Sequence, residues 1–187
     1  MRNLLYVLLT LVVLTAGGVA SETVAVMEGP ASAGAGDTLL IGDTLVHLAG
    51  IDAPESDQTC TRDGETWHCG EAATEALAAL VASGPVVCRD VVALSDGVAR
   101  GHCVSGDVDL AERILAEGLA VVDGATDPAY GAAEAAARDA GIGLWAGEFM
   151  VPSRWREVAG CSCSARKKAY LEGFLSRKQA DEAVTAN

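Results

Sequence analysis

Residues 36 to 55, Gly-Asp-Thr-Leu-Leu-Ile-Gly-Asp-Thr-Leu-Val-His-Leu-Ala-Gly-Ile-Asp-Ala-Pro-Glu, leave this chain few ways to fold. Leu39, Ile41, Leu45 and Leu48 recur among their neighbours as two short strands, and the Gly42-Asp43 pair between them is one that a tight hairpin favours. A hairpin brings its ends together. Asp37, at the start of the first strand, and Asp52, just beyond the second, are therefore expected side by side, with Glu55 a turn further on behind Pro54. Carboxylates so placed make a cradle for a hard cation.

The rest of the chain reads as strands, then helices. A first strand is expected over 22–27, then a small-residue loop over 29–36, a mobile segment beside the carboxylates that suits ligand entry. A polar loop bracketed by Cys60 and Cys69 precedes a helix over 71–82, whose apolar stripe is Ala72, Ala76, Leu77, Leu80 and Val81. Strands follow over 86–94 and 98–104, the second carrying Arg100, with a turn at Ser95-Asp96-Gly97. A helix over 108–117 stops at Gly118, and a third runs from the Asp127-Pro128 cap to Gly141. This order indicates an α+β domain built around a small antiparallel barrel. No internal repeat is present.

With 187 residues, the chain accommodates one domain and an appendage at each end. Residues 1–20, with Arg2, an apolar run and a small-residue end, have the layout of a signal peptide; the alternative is an uncleaved membrane anchor. Cleavage implies a secreted or periplasmic protein, with the domain over 21–160 and a basic tail over 161–187. The six cysteines fit an oxidising compartment. Chain order and local geometry pair Cys60 with Cys69 and Cys88 with Cys103. Cys161 and Cys163 stand too close together for an unstrained bond, leaving them free, labile or paired with another chain. A metal role for the cysteines with His68 and His102 lacks a zinc spacing. The tail places Arg166, Lys167, Lys168, Arg177 and Lys178 around Tyr170, Leu171, Phe174 and Leu175. It reads either as an amphipathic helix for the domain, an envelope partner or an anionic surface, or as a solvated tail.

Charge bears on the partner. The formal net charge is −13, and residues 21–160 hold seven basic against 23 acidic side chains. Such a surface repels a polyanion at long range, so nucleic-acid binding would have to rest on a local basic cleft.

The string Gly36-Asp37-Thr38-Leu39, followed by Leu48-Ala49-Gly50-Ile51-Asp52-Ala53-Pro54-Glu55, resembles the signature of the staphylococcal-nuclease-like (thermonuclease) family. Ala99-Arg100-Gly101, Gly118-Leu119-Ala120 and Gly143-Leu144-Trp145 follow in the family's order, so the resemblance covers roughly 22–155. It implies a five-stranded barrel of the oligonucleotide-binding (OB) fold with three α-helices, and a calcium-dependent phosphodiesterase acting on DNA and RNA. By the same resemblance, Asp37, Asp52 and the backbone carbonyl of Ala53 would hold Ca²⁺. Glu55 would position or deprotonate the attacking water, and Arg100 would grip the scissile phosphate.

The match departs from the family at telling positions. His47 stands where the family has a second phosphate-binding arginine, and a mostly neutral ring cannot replace a permanently charged fork. By analogy with arginines supplied to phosphoryl transfer, that loss is worth about 10³ to 10⁵ in rate. Ala35 replaces an aspartate, and Gly97, Val98 and Gly124 replace the lysine and two tyrosines that cover a nucleotide. Without those rings no base-stacking platform is evident. Two readings follow. One is a nuclease of altered efficiency, with His47 as a weaker cation. The other is a catalytically degenerate nuclease fold serving as a calcium- or partner-binding module in the cell envelope.

Overall fold

The computed structural model describes residues 25–159 apart from positions 96, 125 and 126. The expected signal peptide, residues 22–24 of the expected strand over 22–27, Cys161, Cys163 and the basic tail lie outside the described residues.

The hairpin that opens the reading is present. Strands β1 (Met27–Gly29) and β2 (Ala31–Ala35) lead into β3 (Thr38–Ile41) and β4 (Thr44–Leu48), which pair antiparallel from Ile41↔Thr44 to Thr38↔His47. Gly42, with φ of 58°, takes the left-handed conformation that the two-residue turn demands. The short strand β5 (Ile51–Asp52) follows. Its partner comes from far along the chain.

Residues 29–36 are not the mobile loop that their composition suggests. Ala31–Ala35 form β2, paired with β3, and the first helix packs against them. Strand formation here is imposed by the hydrophobic β3 beside it, and the small side chains let a helix approach closely. Residues 60–67 likewise fold into a hairpin, β6 (Cys60–Arg62) and β7 (Glu65–Trp67), rather than a plain polar loop. Asp63 and Gly64 form its turn with φ of 54° and 81°.

Helix α1 (Cys69–Val81) is followed by β8 (Val86–Ser95) and β9 (Val98–Ser105). Cys88 and Cys103 lie directly opposite each other in that ladder and are joined by a disulfide; Cys60 and Cys69 form the second. Both pairings agree with the sequence reading. The helix expected over 108–117 begins two residues later. Val108 and Asp109 form β10 (Val108–Asp109) against β9, and Asp109 caps α2 (Leu110–Ala116) by accepting from the backbone N–H of Glu112 at 2.9 Å. After β11 (Val121–Val122), α3 (Pro128–Ala140) starts at its Asp127 cap and ends at left-handed Gly141, as the sequence indicates. A 3-10 turn over Gly143–Ala146 leads to a fourth helix, α4 (Pro152–Val158), beyond the three expected.

Pairing runs β1-β8-β9-β4-β3-β2, with β4 and β9 parallel and the other neighbours antiparallel. The two ends of this order, β1 and β2, are consecutive in the chain with only Pro30 between them. A sheet whose first and last strands are one residue apart must curl on itself. The result is a partly closed OB-type barrel in an α+β domain, as expected from sequence. Leu39, Val46 and Leu48 from the sheet meet Leu77 of α1 and Leu110, Ile114 and Leu115 of α2 in one core. Each such side chain contributes about 1.5–3 kcal/mol by leaving water.

Candidate active site

Register alone assembles one side of the site. Thr38 pairs with His47 and His47 with Arg100, so the three side chains form a row across β3, β4 and β9. With strands about 4.8 Å apart, the row spans about 10 Å. Thr38 is fully buried, His47 half-buried and Arg100 exposed. The Thr38 hydroxyl donates to Asp37 Oδ1 at 2.7 Å and lies 3.0 Å from His47 Nδ1. A hydroxyl has one hydrogen, and an ionised carboxylate only accepts, so Nδ1 is the donor to Thr38 Oγ1. In that tautomer the Nδ1–H of His47 is directed at Thr38. Arg100 makes no ion pair among the described residues. With His102, Gly50, Asp123, Gly124 and Asp127 it lines an open groove of about 530 Å³.

The carboxylate side is closed by contrast. Asp37 Oδ2 accepts from the backbone N–H of Ala53 at 3.2 Å, which seats Asp37 against the peptide joining Asp52 to Ala53. The two ends of the β3–β4 hairpin thus meet, as expected from sequence. Asp52 itself belongs to β5, opposite Val121 of β11, a pairing with no local signal. Asp52 and Glu55 are only 7% and 8% exposed.

Glu55 sits on a braced loop. Gln58, 0% exposed, donates its backbone N–H to the Glu55 carbonyl at 2.7 Å and accepts from the Glu55 N–H through Oε1 at 3.3 Å. Its carbonyl accepts from Gly70 N–H at 3.1 Å, next to the Cys60–Cys69 disulfide. Any side chain at Gly70 would collide with the Glu55 carbonyl, since a Cβ there would stand 1.7 Å from that oxygen. Glycine is therefore what lets α1 start directly under the acid.

A residue outside the sequence reading completes this side. Arg156, on α4, donates from Nη1 to Asp52 Oδ1 at 2.7 Å and to Glu55 Oε1 at 3.0 Å, and from Nη2 to Asp52 Oδ2 at 3.0 Å. The hydrogen bond with Asp52 holds the guanidinium even further above its ordinary pKa; burial opposes this, and the Glu55 bond adds to it. Nothing local in the sequence marks Arg156. It meets its partners across more than a hundred residues of chain. Pro152, at the start of a helix after Val151, is the one signal that could have located α4.

A hard cation such as calcium would draw on the Asp37 and Asp52 carboxylates and the Ala53 carbonyl, an all-oxygen set, and would share Asp37 with Thr38 and Ala53 and meet Arg156 on both oxygens of Asp52. Among the described residues no three side chains of His, Cys, Asp or Glu cluster as a metal site. The expected aspartate-to-alanine change at position 35 falls in the core, where Ala35 is buried at the β2–β3 irregularity. Val98 pairs with Leu45 in the barrel wall, and Gly124 leaves open space where a ring would stand.

The family model described as staphylococcal nuclease homologue matches residues 45–147. The match starts after Asp37 and ends before Arg156. Comparison with the curated proteins yields no match. With its barrel, its ordered carboxylates and a match over more than half its length, the chain belongs to the staphylococcal nuclease homologue family.

Proposed function

We propose that this protein hydrolyses phosphodiester bonds of DNA or RNA outside the cytoplasm, depends on calcium, and works with a weakened grip on phosphate. The observation that carries the reading is buried Asp52 and Glu55 with Asp37 seated at the Ala53 peptide, while the exposed Arg100, in register with His47 and through it with Thr38, lines an open groove. Calcium held by Asp37, Asp52 and the Ala53 carbonyl would supply Lewis-acid polarisation of a phosphoryl oxygen. Glu55, fixed by Gln58 and shielded from bulk water, accepts the proton of the attacking water. Arg100 offers a charged fork to the phosphate as negative charge builds up on its oxygens.

His47 supports the weakened grip. Its Nδ1–H is given to Thr38, and even when protonated the ring is shorter and offers less than an arginine fork. The two disulfides support an oxidising compartment, as does the apolar start of the sequence. Among the described residues no helix is long and apolar enough to cross a membrane.

The test is cleavage of single-stranded DNA and of RNA by the oxidised chain, with calcium and then with chelator. Slow cleavage that chelation stops is expected, and Glu55→Gln should reduce it about 10²- to 10⁴-fold without unfolding the protein. Cleavage that persists in Glu55→Gln would remove the proposed base. A wild-type chain that binds calcium but cleaves neither polymer would favour the binding-module reading.

A further inference from the structure

Arg156 reaches the site by construction. Glu148 and Thr61 exchange backbone hydrogen bonds of 2.8 Å each, and the buried Gln58 that braces Glu55 also donates Nε2 to the Met150 carbonyl at 2.7 Å. Gly147 lies so close to Thr61 that a Cβ would stand 1.9 Å from its carbonyl oxygen. Pro152 then starts α4 in a buried position. The segment after the 3-10 turn is thus strapped to the Glu55 loop, and the strap ends in a guanidinium on Asp52 and Glu55. The other arginine of this helix, Arg154, pairs among the described residues only with Glu157 at the surface.

Two buried carboxylates repel each other and pay a desolvation penalty; a shared fork offsets both and fixes their spacing. The fork also takes both oxygens of Asp52, the acid that a divalent cation needs. We propose that Arg156 is a positioning and affinity-setting residue: it orients Glu55 for its work on water and competes with the divalent cation for Asp52. The proposal rests on the phosphodiesterase reading for the role of Glu55 and for Asp52 as a calcium ligand, whereas the fork on both Asp52 oxygens is given by the geometry.

The two roles have opposite signatures. Removing the guanidinium removes a positive charge beside the cation, which tightens binding, and frees Glu55, which slows turnover. In calorimetric titration of the full chain with calcium chloride alone, Arg156→Ala is expected to bind calcium about tenfold more tightly than wild type. Arg156→Lys, which keeps the charge without the fork, should fall between them, and Arg154→Ala should match wild type. In DNA cleavage at saturating calcium, Arg156→Ala should lower kcat about tenfold with little change in KM.

A merely structural arginine would weaken calcium binding and activity together. Calcium binding in Arg156→Ala equal to or weaker than wild type, or absent from both, overturns the proposal. Unchanged kcat overturns its positioning half. If Arg156→Ala fails to fold, Arg156→Lys decides, by binding calcium more tightly than wild type or not. If no variant cleaves nucleic acid, the phosphodiesterase reading fails, and the calcium titration still decides whether Arg156 competes for Asp52.

Discussion

On the carboxylate side of the site, Asp52 and Glu55 are more than nine-tenths buried and braced by Gln58, a disulfide and Arg156. On the sheet side, Arg100 is exposed and lines an open groove with His102. On the proposed function, the difference follows from what each side would do. A proton acceptor and metal ligands act only within tenths of an ångström of the right place, so their positions are fixed by neighbours on several elements. A group that receives a long, variable polyanion needs access more than rigidity. The net charge of −13 sharpens the point, because a strongly acidic protein can attract phosphate only through a few local cations.

The largest expected effect lies on the open side. Arg100→Ala should lower kcat/KM for DNA cleavage about 10²- to 10³-fold. Because Arg100 is exposed and makes no ion pair among the described residues, thermal unfolding should be nearly unchanged. A large loss of stability in that variant would show that the open side is structural as well, and the contrast between the two sides would fail.

The disulfides give a smaller effect that separates the sides. Cys60→Ser with Cys69→Ser, and Cys88→Ser with Cys103→Ser, should each cost about 2–3 kcal/mol, by loosening the unfolded chain's constraint over separations of 9 and 15 residues. Their effects on turnover should differ. The first pair braces the Glu55 loop, so its removal should also lower kcat about tenfold. The second lies within the β8–β9 ladder, whose backbone bonds keep the register of Arg100 without it, and kcat should hold. Equal losses of kcat would show that rigidity matters equally on both sides.

How much of this was legible in the sequence depends on how local each cause is. The β3–β4 hairpin, the Asp127 and Gly141 caps and both disulfides follow from neighbouring residues, and each is read directly. The β6–β7 turn carries an Asp63-Gly64 dipeptide, a hairpin signal masked by the polar residues around it. Strand β2 carries no pattern at all, because Ala-Ser-Ala-Gly-Ala becomes a strand only through β3 beside it. At the site, Asp37, Asp52, Glu55 and Arg100 come from short motifs, whereas Arg156 acts through contacts about a hundred residues distant and Gln58, a local brace of Glu55, is itself tied to Met150 nearly as far away. Single residues that close a site from afar leave no periodicity to read.

His47 stands where the two sides meet, bonded to Thr38 beside Asp37 and paired in register with Arg100. On the proposed function, it is also where the phosphate grip is weakest. The most direct measurement is therefore the single-turnover rate of DNA cleavage by His47→Arg at saturating calcium, with calcium affinity measured in parallel. A rise in rate of at least about tenfold, with calcium affinity nearly unchanged, is the expected result. No rise in a folded, calcium-binding variant would contradict a site complete but for its phosphate fork.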